Sequence, residues 1–160
     1  MRFFGLVICA ALVLEFLGSP PAWAQDRPAA YTRLTAVDLK WNALPSMGRG
    51  AQIAVLYGNP AKPGLFVVRV KLPANFKLPV HSHPDERVRT IIAGTYYSAI
   101  GDSVDSTKLV AFPQGTFSHV PPRVWQFAET KNEEVVFQVT GIGPTGIDYL
   151  NSSDDPRMAQ

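Results

Sequence analysis

From Ala51 onward the sequence breaks into about seven short runs rich in β-branched and aromatic residues, each closed by Gly, Pro, Asn or Asp. The runs are 51–57, 65–72, 88–93, 95–100, 109–112, 116–120 continued by 125–128, and 135–140. Between them stand Gly58-Asn59-Pro60 with Lys62-Pro63-Gly64, then Gly101-Asp102, Pro113-Gln114-Gly115 and Lys131-Asn132, all chemistry that reverses a chain. No segment leaves room for a long amphipathic helix. Short strands at regular spacing with tight connections predict an all-β antiparallel barrel or sandwich rather than an α/β fold.

The chain has the size of one such domain: 160 residues with 46% hydrophobic and 18% charged, enough apolar material to offset chain entropy. The formal charge is only +2, and Lys and Arg are dispersed, so there is no footprint of a nucleic-acid binder. Preceding the strands, Leu34, Val37, Leu39 and Trp41 partly alternate, which predicts an arm that ends in a short strand with Trp41 over the core. Residues 147–150 predict one more edge strand before a polar tail with no evident role in chemistry.

At the N-terminus Arg2 precedes an uncharged run of 12 residues, 3–14, followed by Ala22-Trp23-Ala24. That is the pattern of a cleavable secretory signal, and the run falls short of the roughly 20 residues a spanning helix needs. Cleavage before Gln25 removes Arg2, Glu15 and the single cysteine, Cys9, and leaves the net charge at +2. The expected organisation is a signal peptide over 1–24, an N-terminal arm over 25–50, a barrel over 51–150 and a polar tail over 151–160. The expected location is periplasmic or secreted, without a membrane-embedded segment after cleavage. A disulfide-free exported domain must draw its stability from its core and from any bound metal.

The densest chemical signal is His81-Ser82-His83, because in an extended segment residues i and i+2 share a face and can present two imidazoles to one ion. Here the sequence resembles the cupin family, whose first motif is H-x-H followed by a glutamate and a glycine, and whose second runs from a glycine through a proline to a histidine. The stretch HSHPDERVRTIIAG keeps His81, His83 and Gly94 in register, and GTFSHVPPRVWQ keeps Gly115 and Pro121. The departures are Arg87 at the glutamate position, with Glu86 one residue early, and Arg123 and Gln126 where the second motif has glycine and histidine. Small exported bacterial cupins also share segments like GPTGIDYL and DDPR, found here at 143–150 and 154–157. The resemblance implies a compact double-stranded β-helix with a metal inside, and a homodimer; it does not supply a reaction.

Two registers are open after His83. If alternation is unbroken, Arg87 and Arg89 share the histidines' face and Glu86 points away. A guanidinium about 6 Å from a divalent ion, at an effective dielectric of about 20, opposes binding by about 5 kcal/mol. A one-residue bulge near Pro84-Asp85 would instead bring Glu86 inward and turn both arginines out. On that register the metal ligands are His81, His83, Glu86 and Gln126, the last through its amide oxygen, and the ion is Fe, Mn, Zn, Cu or Ni. His119 is a further candidate to replace the missing histidine, and Tyr96 or Tyr97 to offer a hydroxyl. Two functions follow: a metal-dependent, oxygenase-like enzyme acting on a small molecule, or a small-molecule or anion-binding protein with a metal-free site. The second is favoured if the guanidiniums of Arg87 and Arg123 point into the pocket.

Overall fold

A computed structural model describes residues 31–158 of the chain, and the signal peptide expected over 1–24 lies outside them. The chain divides into a unit ending at Arg33 and a unit from Leu34 onward, which carries every element described below. None of the described helices is long and apolar enough to cross a membrane.

Eleven strands follow in chain order: β1 (Asn42–Ala43), β2 (Gln52–Tyr57), β3 (Gly64–Leu72), β4 (Lys77–Ser82), β5 (Arg87–Ala93), β6 (Tyr96–Ile100), β7 (Val110–Phe112), β8 (Phe117–Val120), β9 (Gln126–Thr130), β10 (Val135–Gly143) and β11 (Asp148–Tyr149). Three single-turn 3-10 segments are the only helices among the described residues. All strand pairs are antiparallel, in two sheets ordered β1-β2-β3-β10-β5-β8 and β11-β4-β9-β6-β7.

The seven runs correspond to β2, β3, β5, β6, β7, β8 with β9, and β10, and the edge strand near the end is β11. Missing from the sequence expectation is β4, which carries His81: its Lys77-Leu78-Pro79-Val80 start has a proline inside it and does not alternate cleanly. Its irregularity is real, because β4 advances from Leu78 to His81 while its partner β9 advances only from Ala128 to Gln126. One extra residue on β4 is a β-bulge, and it re-aims the strand so that both Leu78 and His81 face the interior.

The core lies between the sheets. Along β3 the residues Phe66, Val68, Val70 and Leu72 are buried in turn, and their β10 neighbours Val135, Phe137 and Val139 do the same. This period of two is the signature of strands with one face inward. Trp41 does not insert into that core; it lies partly exposed with the Lys71 ammonium 4.6 Å from its ring centre.

Between β5 and β6 the chain reverses at Gly94, which has φ +73, and a Cβ there would stand 2.5 Å from the Glu134 carbonyl oxygen. Left-handed backbone and a rigid neighbour both demand glycine. Gly94→Ala is therefore expected to destabilise the fold by about 1–3 kcal/mol, seen as a lower urea midpoint with an unchanged denaturant slope.

Candidate functional site

The interior residues of one continuous stretch define the site. His81 and His83 face a cavity of about 350 Å³, Asp85 is buried, Arg87 and Arg89 line the same cavity, and Ile91 is core. Alternation thus runs unbroken from His81 to Ile91, and the bulge expected near Pro84-Asp85 is absent: the bulge in this region precedes His81 instead of following His83.

Glu86 therefore points outward, and its place among the expected ligands is corrected. Its exposed carboxylate accepts a hydrogen bond from His119 Nε2 at 3.0 Å, and His119 is itself exposed on β8, away from the imidazole pair. An inward Arg87 without a counter-charge would be too costly beside any cation. Relief exists but comes from Asp85, whose carboxylate, 1% exposed, accepts from Arg87 Nε at 3.0 Å and from a terminal guanidinium nitrogen at 2.5 Å, while Thr145 Oγ1 accepts a further bond. The i, i+2 spacing of Asp85 and Arg87 was visible in the sequence and is the signal that points to this pair.

Arg89 has no such partner. Among the described residues no carboxylate pairs with it; its Nε donates to Ser118 Oγ at 3.3 Å, and its guanidinium carbon lies 4.5 Å from the Tyr96 ring centre, with Phe137 at 5.7 Å and Phe112 at 5.8 Å. Three ring faces partly replace water around the charge. Tyr96, fully buried, has its phenol pushed above the usual range by burial, so it stays neutral and does not cancel the cation. Arg123, the other candidate, is exposed in a left-handed conformation at φ 61 and contributes its backbone N–H to the His83 carbonyl at 2.7 Å. Tyr97 packs under Lys131 instead of reaching the cavity.

Both histidines are oriented by backbone. His81 Nδ1 lies 2.8 Å from the Pro79 carbonyl and His83 Nδ1 2.6 Å from the Gly146 carbonyl, so in each ring Nδ1 donates and Nε2 keeps its lone pair. The rings meet edge to face with centroids 5.0 Å apart. Burial, reinforced by Arg87 and Arg89, lowers the His81 pKa to about 4, and burial with Arg87 holds His83 well below its usual value. Gln126, directly opposite His81 in the β4–β9 register, is 1% exposed, and its Oε1 has no hydrogen-bond partner. The tail, expected to be uninvolved, also reaches the cavity: Arg157 lines it, held by a bidentate pair with Asp155 and a bond to the Ile147 carbonyl.

Three of the four expected ligands, His81, His83 and Gln126, thus come together, and Glu86 does not. Among the described residues no three His, Cys, Asp or Glu side chains assemble into a group that could hold a metal. The acceptors present are two neutral imidazoles and one neutral amide, facing a guanidinium whose charge nothing cancels. A divalent cation there would find no anionic ligand and would meet like charge, so the residues do not fit a tightly held metal ion.

The low histidine pKa has a consequence for stability. The folded state keeps His81 neutral while the unfolded chain takes up a proton below about pH 6.5, so this stabilisation is complete above 6.5 and drains away as pH falls toward about 4. Over that window the expected loss from His81 is on the order of 3 kcal/mol. Chemical denaturation between pH 7 and pH 4 should show a steeper decline in the wild type than in His81→Gln.

No protein-family model matches the sequence, and no curated protein does. Solved structures are similar in fold. The polyketide cyclase RemF from Streptomyces resistomycificus superposes with a TM-score of 0.67 at 16% identity, covering 79% of this chain and 90% of that one. The DMSP lyase DddQ from Ruegeria pomeroyi gives 0.56 at 18% identity over 81% and 75%. An RmlC-like cupin from Shewanella frigidimarina gives 0.55 at 16% over 72% and 93%. The double-sheet antiparallel architecture around an interior cavity is the cupin fold.

Proposed function

We propose that this protein binds a small organic anion inside its barrel, and that recognition rests on guanidinium chemistry in place of a metal centre. The observation that carries this reading is Arg89, 7% exposed, facing the cavity without a carboxylate partner. Burying a charge is expensive unless a counter-charge or hydrogen bonds offset it, and an anionic ligand supplies both. Arg87 lies in the same wall, two residues along β5, but Asp85 already satisfies it, which leaves Arg89 as the anchor.

Cupin barrels of this shape include a cyclase and lyases, so the fold accommodates turnover of small molecules, and whether this chain turns its ligand over is a separate matter from binding it. Export to the periplasm or beyond, expected from the N-terminus, is part of the same proposal: the ligand is one met outside the cytoplasm.

Octanoate serves as a simple probe, since the cavity is bounded mainly by apolar side chains. It should raise the melting temperature of the purified full chain, and octanol should not. Arg89→Gln should abolish the shift, while Glu86→Gln, on the outer surface, should leave it intact. Metal analysis of the same preparation should find no stoichiometric divalent ion. Equal stabilisation by octanol, or an unaltered response in Arg89→Gln, would refute the reading.

A further inference from the structure

The cavity is polar at one side and apolar at the other, and the sheet order explains why. In the sheet β1-β2-β3-β10-β5-β8, the arginines stand on β5, whereas Ile53 on β2 and Phe66, Val68 and Val70 on β3 line the part of the same sheet beyond β10. Leu44 and Met47, from the arm, extend that apolar side. At the polar side the inventory is unequal. Among the described residues that line it, one cation, Arg89, lacks a counter-charge; Arg87 and Arg157 are already paired with Asp85 and Asp155. Beside it stand three acceptors without donors: Nε2 of His81 and of His83, whose Nδ1 atoms are committed to backbone carbonyls, and the buried Gln126 Oε1. Of these, Gln126 Oε1 is fully buried, and a donor placed by a ligand removes the desolvation penalty it carries.

A plain carboxylate would answer Arg89 and leave every one of these acceptors empty. A dianion would bring one negative charge too many into an enclosed site. A hydroxyl close to the carboxylate answers both groups at once, because it donates to Gln126 or an imidazole while the carboxylate meets the guanidinium. An alkyl or aryl remainder then fills the side under β2 and β3.

Resting on the anion-binding reading above, we propose that the ligand class is a medium-chain hydroxy monocarboxylate, with its carboxylate on Arg89, its hydroxyl on the acceptor set around Gln126, and its hydrocarbon tail against Ile53, Phe66 and Val68. Gln126 is on this account a specificity-determining residue: it reads the hydroxyl and not the charge.

Calorimetric titration of the full chain with β-hydroxyoctanoate, octanoate, β-hydroxybutanoate and the neutral diol of the same eight-carbon chain tests this. The hydroxy acid should bind about tenfold or more tightly than octanoate, the margin of one hydrogen bond to a buried acceptor, and the short β-hydroxybutanoate should bind more weakly for want of a tail. Gln126→Leu should bring octanoate and its hydroxy derivative to within about threefold of each other, and its retained octanoate binding shows that the variant is folded. If octanoate matches β-hydroxyoctanoate in the wild type, the hydroxyl inference is overturned while anion binding stands. If Gln126→Leu leaves the preference unchanged, the assignment of the hydroxyl to Gln126 is overturned. If the neutral diol binds as tightly as the acid, or none of the four binds, the anion-binding reading falls and takes the inference with it.

Discussion

A buried guanidinium without a carboxylate beside it is the constraint on which the site depends. Arg89 is held inward because β5 alternates without interruption, and turning it out would turn Ile91 and its neighbours out of the core as well. The fold cannot relieve the charge by changing register. It surrounds the charge with Tyr96, Phe137, Phe112 and the Ser118 hydroxyl, a set that partly compensates for lost water and leaves room for an anion.

The neighbouring arginine shows the alternative solution to the same problem. Arg87 is buried to a similar degree, but Asp85, two residues earlier on the same face, closes a local ion pair with it, and Thr145 completes the fork. The result is a graded field across the cavity: a neutralised pair near His83, an uncompensated cation at Arg89, and two imidazoles kept neutral by burial and by that positive field. Neutral imidazoles whose Nδ1 atoms are tied to carbonyls are acceptors of fixed direction, suited to a donor from a ligand. Without a carboxylate among them they are poorly suited to a divalent ion.

Much of the architecture was legible in the residues. Period-two runs punctuated by turn chemistry located nearly every strand, Gly94 marked its hairpin, and His81, His83 and Gln126 were brought together as expected. What was not legible has physical reasons. The strand β4 escaped notice because Pro79 and a bulge disrupt its alternation, and a bulge is visible only when the partner strand's register is known. The carboxylate near the site differs from expectation because relief of the Arg87 charge comes from Asp85, two residues earlier on the same face, and not from a bulge that would bring Glu86 inward. The reach of Arg157 into the cavity could not be read from a polar tail whose return path depends on the contacts of β11 and Ile147.

By itself, then, the sequence determined the all-β class and the presence on one segment of two histidines followed by alternating charge, because these follow from side-chain period and turn chemistry, which are local. Only the tertiary structure decided which phase of that alternation faces inward, since the phase after His83 is set by how β5 pairs with β8 and β10 and by the burial of Ile91. That decision placed Arg87 and Arg89 in the cavity and Glu86 on the surface. Electrostatics at the site is a property of distances between strands far apart in the chain, and those distances come into being only when the two sheets pack.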